Sequence, residues 1–269
     1  ATEYERYGLL VTKATDPLDN TILAQNDYRV LQPATLTDPN GNRSAVAFDA
    51  LGMVVGTAVM GKNGEGDSLV GFRPDLTVDE LEQFLARPRL PRASTEPPPG
   101  TPLLADATTR ILYDLHRFHL TQTAHPDEPD QWQPVYAATL ARETNVRDLG
   151  ASTYSQIQVS FSCSDGFGRE IQQKIMAEPG PLTEGDENAD PRWVGSGWTI
   201  FNNKGKPVRQ FEPFFSATHR FEFGVTIGVS PVLFYDPAER VIATLHPNHT
   251  FEKVLFDPWQ IGRASCRER

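Results

Sequence analysis

The sequence predicts a mainly β fold: a repeat-built, curled antiparallel sheet with a short helix in an insertion. Three observations predict it. First, a short phrase recurs, in which an aromatic residue precedes Asp and a turn. It stands at Phe48-Asp49-Ala50-Leu51-Gly52, Tyr113-Asp114, Tyr235-Asp236-Pro237-Ala238-Glu239-Arg240 and Phe256-Asp257-Pro258, with Ser164-Asp165-Gly166-Phe167-Gly168-Arg169 as a variant. Self-similarity of this kind marks stacked repeat architectures. Second, turn signals keep a spacing: Asp16-Pro17-Leu18-Asp19-Asn20 and Asp38-Pro39-Asn40-Gly41-Asn42 lie 22 residues apart, and Asp236 and Asp257 lie 21 apart. Third, 22 prolines and 20 glycines are spread over 269 residues at 39% hydrophobic content, which favours many short strands over a helical bundle.

Taken in order, residues 1–62 form a β segment, with strand candidates at Tyr28–Leu31, Ser44–Phe48 and Met53–Val59 between the turns. Residues 63–134 interrupt the rhythm and are expected to be an insertion. Within it Thr77-Val78-Asp79-Glu80 matches a capping box, followed by Leu81, Phe84 and Leu85 at helical spacing, which predicts a helix over 78–86. Arg87 to Gly100 carries Pro88, Pro91, Pro97, Pro98 and Pro99. It cannot build a sheet interior and is expected to be an extended, exposed loop. From 135 to 260 β-hairpins return. Ile157, Val159, Phe161 and Cys163 alternate with polar residues, a period of two. The return strand is expected to carry Ile171, Gln173 and Ile175. Further hairpins are predicted around Asn202–Gly205 and Asp236–Glu239. Glu184, Asp186, Glu187 and Asp190 suggest a surface loop.

Each residue of the recurring phrase has a physical use. The Asp carboxylate accepts backbone N–H groups from the turn that follows it. Gly supplies positive φ. The aromatic ring is expected to pack on the equivalent ring of the next unit. The Arg after the turn is expected to lie across such a ring or to pair with a neighbouring Asp. A unit alone would expose an apolar face and an unpaired edge, and stacking removes both.

Composition excludes some functions. A net charge of −10 offers no basic surface to nucleic acid. No apolar run approaches the roughly 18 residues of a membrane-spanning helix. The N-terminus, Ala1-Thr2-Glu3-Tyr4-Glu5-Arg6, lacks an initiator Met and a signal-peptide pattern, as the interior of a longer protein would. Residues 261–269 break with what precedes them, and one codon choice for them, ATC GGA AGA GCG TCG TGT AGG GAA AGA, reads as sequencing-adapter sequence. The natural sequence is therefore expected to stop near Gln260. Without those nine residues 22 Lys+Arg stand against 34 Asp+Glu, a net of −12, and Cys163 is the one cysteine left, so cysteine usage does not set the compartment.

No catalytic, cofactor-binding or metal-binding residue is assigned. His116 and His119, and His246 and His249, are spaced by three, but in strand or turn context that spacing points side chains to opposite faces; His246-Pro247-Asn248-His249 is better taken as a turn. Cys163 alternates with buried residues and is expected to be core. Gly61 to Ser68 has glycines and a lysine without phosphate-loop spacing, and is a turn. Trp193, Trp198, Phe214, Phe215, Phe221 and Phe223 form a dense aromatic stretch, expected to be core packing, with sugar or partner binding as the alternative.

These residues resemble the YD-repeat, or rearrangement-hotspot, family. The runs Ser160 to Ile175 and Ala177 to Pro181, Arg192 to Arg209, and Gly228 to Pro237 resemble the B component of bacterial insecticidal toxin complexes. Ala238-Glu239-Arg240 departs from the family's usual Leu-Gly-Arg, which predicts a different turn type there, and Met53 stands where Arg is common. The resemblance implies a secreted virulence protein: part of a hollow β-shell that encapsulates a partner's toxic domain, with a C component closing the shell and supplying the cargo, and an A component forming the pore. It implies no enzyme activity and no cofactor. Two alternatives stand beside it: a cell-surface YD-repeat protein binding glycans or protein partners through its aromatic stretch, and, more remotely, a hydrolase using the paired histidines.

Overall fold

The computed structural model describes residues 1–267 apart from 63, 151–153, 258 and 260. The chain forms two compact units, one of Ala1–Asp114 and Ala137–Ser160, the other of Leu115–Tyr136 and Phe161–Arg269. Strands and antiparallel pairing dominate both, as the sequence predicts.

In the first unit the strands follow chain order across the sheet: β1 (Thr2–Tyr4), β2 (Val11–Thr15), β3 (Thr21–Asp27), β4 (Gln32–Thr37), β5 (Arg43–Phe48), β6 (Val54–Gly61) and β7 (Thr109–Asp114), then β8 (Val135–Arg142) and β9 (Ile157–Ser164), both of which continue into the second unit. Neighbours from β1 to β7 pair antiparallel, for example Val46↔Thr57 and Gly56↔Arg110. Ala45, Phe48, Val55, Ala58, Leu104, Leu112, Ala138 and Leu140 are buried as its core. Helix α1 (Val78–Ala86) begins at Thr77 with both halves of the predicted capping box in place, and Phe84 is its buried residue. Gly56 allows the ring of Phe72 to lie on the sheet: a Cβ there would sit 2.4 Å from the ring.

Three expectations for this unit need correction. Tyr28–Leu31 is not a strand but the turn between β3 and β4; the Asp27 carboxylate accepts the Arg29 N–H, and Leu31 takes a left-handed φ of 55°. The stretch 87–100 forms no strand, yet it is not simply exposed, because Pro88, Leu90 and Gly100 are buried. The segment 63–134 also contains more than a short helix and a loop. It holds β7, a second helix, α2 (Thr101–Leu104), and, in the second unit, a third, α3 (Arg117–Ala124), and the compact units divide at 114/115, 136/137 and 160/161.

In the second unit the end of β9 neighbours β10 (Glu170–Ala177); β11 (Gly180–Pro181) and β12 (Asn188–Ala189) form a small ladder. The sheet goes on to β13 (Arg192–Gly195). Strands β14 (Thr199–Phe201) and β15 (Pro207–Gln210) make the predicted hairpin. Strand β16 (Phe214–Ser216) pairs with β13. The predicted β17 (Val232–Tyr235) and β18 (Val241–Leu245) continue into β19 (Thr250–Phe256). The residues expected to be foreign in origin, 261–267, lie beside β19 as β20 (Ile261–Arg267). That pairing is through main-chain groups, which most sequences can supply.

Strand β9 buries Ile157, Val159, Phe161 and Cys163 as its alternation predicts. Strand β10 reverses the expectation. Its inward residues are Gln172 and Lys174, both fully buried, while Ile175 is 44% exposed. The correction has a physical cause: those two polar side chains meet polar partners inside the unit. The His116/His119 pair is also placed differently from expectation, with His116 as the residue capping α3 and His119 within that helix.

Candidate functional site

One turn is built seven times among the described residues. At Asp16, Asp38, Asp49, Asp165, Asn202, Asp236 and His246 the N–H of the heading residue donates to the carbonyl four residues on, and its carbonyl accepts the N–H three residues on. The residue at the fourth position is always left-handed: Asp19, Gly41, Gly52, Gly168, Gly205, Glu239 and His249 have φ between 61° and 84°. This is a type I turn closed by a bulge, a three-residue hairpin connection whose twist suits the flanking strands. The side chain at the head adds to it. Asp38 Oδ1 accepts the Asn40 and Asn42 N–H groups at 2.9 and 2.8 Å, and Asn202 Oδ1 accepts those of Lys204 and Lys206.

The Ala238-Glu239-Arg240 departure thus leaves the turn type unchanged; Glu239 adopts the left-handed position itself. Asp114, in contrast, heads no turn and is buried at the end of β7. The His246–His249 segment is a turn, as expected, with His249 in the left-handed position.

Both roles foreseen for Arg occur together. Arg169 Nε donates to Asp165 at 2.7 Å while its guanidinium lies 4.6 Å from the Phe201 ring centroid; Arg240 Nε donates to Asp236 at 2.8 Å and lies 4.3 Å from that of Phe256. The aromatic residues of the phrase do not stack on one another. Tyr113 and Tyr235 donate their hydroxyls to the Val54 and Pro207 carbonyls, and Phe256 receives Arg240. A buried or half-buried tyrosine hydroxyl needs a hydrogen-bond partner, and a backbone carbonyl supplies one where ring stacking would not. Successive hairpins of the second unit are joined in this way: Lys206 pairs with Glu239 at 2.8 Å, and Lys204 donates to the Pro237 carbonyl.

The turn-head carboxylates of Asp16, Asp38, Asp165 and Asp236 are held low. Asp38 is held below its ordinary 3.8 by the Asn42 amide and by backbone N–H groups; Asp236 is held low by the backbone N–H and guanidinium of Arg240.

Buried polar side chains form a second set, which the sequence analysis missed. In the first unit Arg110 is buried and donates to the carbonyls of Leu103, Arg73 and Pro74, with the Phe72 ring centroid 4.4 Å away. Burial brings its pKa down to about 10, so it stays charged at neutral pH. Asp67, also buried, accepts the Thr108 hydroxyl at 2.7 Å and the Val146 N–H at 2.8 Å. These groups fasten the 67–108 segment to the strands. In the second unit Lys174 pairs with Glu222 and lies 4.6 Å from the Phe214 centroid, while Gln172 exchanges two hydrogen bonds with the Glu222 backbone. Burial lowers the Lys174 pKa, and Glu222 opposes that shift. Cys163 is a buried free thiol whose pKa burial pushes up to about 12. It is core and not a nucleophile poised at neutral pH.

The aromatic stretch divides. Trp193 and Phe214 are buried, and Trp193 packs between Phe161 and His219. That removes Trp193 as a surface platform for sugars. Trp198, Phe221 and Phe223 instead line an open cleft of about 870 Å³ within the second unit, faced by Phe118 and Trp132. Among the described residues no group of three or more His, Cys, Asp or Glu is placed to hold a metal ion, and no helix is long and apolar enough to cross a membrane. The Gly61–Ser68 stretch turns back with Gly66 donating to the Met60 carbonyl; its Asn63 lies outside the described residues.

The chain is thus a mainly β fold of large antiparallel sheets in which one hairpin turn recurs. No family model and no curated protein matches the sequence. Solved structures do match. Over 98% of this chain it superposes on the TcdB2-TccC3 crystal structure with a TM-score of 0.72 at 23% identity, covering 12% of that chain. It superposes on TcdB2-TccC3-Cdc42 with a TM-score of 0.70 at 21% identity over 98% of this chain and 14% of that one. With the Photorhabdus luminescens Tc holotoxin pore the score is 0.68 at 21% identity, over 94% of this chain and 14% of that chain. The chain resembles the B component of these toxin complexes in fold, and spans about an eighth of the length of the solved chains.

Proposed function

We propose that the chain is a non-catalytic wall segment of a secreted toxin-complex B component. In this reading it forms part of a hollow β-shell that encapsulates a partner's toxic domain and helps deliver it. A C component closes the shell and supplies the cargo, and an A component forms the pore. The observation that carries the reading is the likeness of fold to TcdB2-TccC3 over 98% of the chain. The work of such a wall is steric. Strands paired edge to edge leave few unpaired N–H and C=O groups and keep proteases from what lies behind them. Limited proteolysis of the complete B component, co-expressed with its C component, tests the proposal. Cargo is expected to survive protease doses that degrade the same domain expressed alone. Equal rates of cleavage would overturn it.

A further inference from the structure

A cleft in the second unit lies beside the Asp165 turn, and its lining is mainly aromatic and apolar. Its volume of about 870 Å³ lies in the range of about 300–1,000 Å³ typical of small-molecule sites. Its lining holds two aromatic clusters: Phe118 and Trp132, packed edge to face with centroids 5.9 Å apart, and Trp198 with Phe223 at 4.8 Å and Phe221 at 5.9 Å. Phe223 is 78% exposed and Phe118 43% exposed, a large aromatic surface for residues that contribute little to the core. Among the described residues no Lys or Arg lines the cleft, whereas Asp130, Asp165 and His119 do. The two carboxylates differ. Asp165 accepts the N–H groups of Phe167 and Arg169 and pairs with the Arg169 guanidinium. Asp130 is exposed and makes no hydrogen bond or ion pair with the described residues.

Aromatic faces carry negative potential and attract cations, most strongly when the cation is poorly hydrated and its apolar body also leaves water. An exposed lining carboxylate with no ion-pair partner among the described residues acts with the same sign. We propose that this cleft binds a small organic cation with an apolar body, of the quaternary or tertiary ammonium class. Its aromatic or aliphatic part lies between Trp198 and Trp132, and its charge faces Asp130 and the ring of Phe223. The proposal is independent of the wall function, and each can fail without the other.

The test is a titration of the chain with benzyltriethylammonium, followed by tryptophan fluorescence and by calorimetry, beside benzyl alcohol and benzenesulfonate. Saturable binding is expected, in the order cation, neutral, anion. Phe223→Ala and Asp130→Asn alter exposed side chains, and a circular dichroism spectrum matching the parent's verifies that each variant folds. Each is expected to weaken the cation by about fivefold, and Asp130→Asn to leave the neutral compound's affinity unchanged. Cation binding no tighter than that of the neutral or anionic compound would overturn the proposal, as would unchanged cation affinity in both variants.

Discussion

Glu222→Ala is expected to destabilise the second unit far more than Lys174→Met, although the two residues form one ion pair. Lys174 has no exposed surface, whereas the Glu222 side chain is 34% exposed. Truncating Glu222 leaves an ammonium buried with only the Phe214 ring, 4.6 Å away, as compensation. Removing one partner of a buried pair costs about 3–5 kcal/mol. The ring and the water admitted where the carboxylate was place this case at about 3 kcal/mol, or roughly 150-fold in the folding equilibrium. Lys174→Met keeps most of the side-chain volume, removes the buried charge and leaves a carboxylate that already reaches water. Its expected cost is below about 1 kcal/mol. Combining the two should recover most of the Glu222→Ala loss.

The assay is urea unfolding followed by fluorescence, which reports on the second unit because all four tryptophans, Trp132, Trp193, Trp198 and Trp259, lie in it. Unchanged m-values would establish that stability alone has moved. The pH dependence has a definite sign. Burial lowers the Lys174 pKa below 10.5, so the folded state binds this proton less well than the unfolded state. The penalty is fully present below the folded pKa and disappears as pH rises through 10.5. The deficit of Glu222→Ala relative to the parent should therefore shrink toward pH 10.5. A Lys174→Met loss equal to or larger than that of Glu222→Ala would refute the assignment of the cost to the buried ammonium.

The turns and the thiol supply further tests. Gly168 has φ of +74° whereas Gly166, two residues away, has open space for a Cβ and no positive φ. Gly168→Ala should cost about 1 kcal/mol and Gly166→Ala close to nothing in thermal unfolding; equal effects would refute the turn assignment. The Asp38 pKa lies below 3.8, so its contribution is present above that pH and is lost as pH falls through the lower folded value. Asp38→Asn keeps an oxygen acceptor, as Asn202 does at its own turn, and should flatten the acid limb of the stability profile. Cys163, held up to about 12 against an ordinary 9.0, contributes stability that is complete below pH 9 and is lost as pH rises toward 12. Iodoacetamide at pH 8 should label it in urea but not in the native chain, with peptide mapping to separate it from Cys266; rapid native labelling would contradict its burial.

Much of this was legible from local chemistry. The capping box at Thr77 and Glu80, the alternation along Ile157–Cys163 and the hairpins at Asn202 and Asp236 each follow from a few neighbouring residues, because caps, pleats and tight turns are short-range devices. What was not legible depended on partners distant in sequence. Strand β7 hides in the insertion because its inward residues are Arg110, Leu112 and Asp114, two of them charged, so no hydrophobic alternation announces it. Lys174 and Gln172 face inward for the same reason: their partner Glu222 lies about 50 residues further on. Tyr28–Leu31 has strand-forming residues, but the Asp27 carboxylate captures the Arg29 N–H and turns the chain. Burial of Trp193 and openness at Trp198 were likewise beyond a reading that treated the aromatic stretch as one feature.

The repeated turn explains why non-glycine residues stand in its strained position. A type I turn with a bulge fixes the stagger between the two strands it joins, so every hairpin that uses this connection takes the same local register. Asp19, Glu239 and His249 adopt left-handed φ at a cost of about 1 kcal/mol each, and the hydrogen bonds closing each turn hold them there. Glu239 also pairs with Lys206 in the adjacent hairpin, a contact glycine could not make. Arg169 and Arg240 act similarly, each bound to the head of its own turn while lying on a ring of another strand, Phe201 or Phe256. Register within a hairpin and order between hairpins are thus set by the same few residues. Such a chain can be extended strand by strand, each new hairpin taking its stagger from its own turn and its place from contacts to the one before.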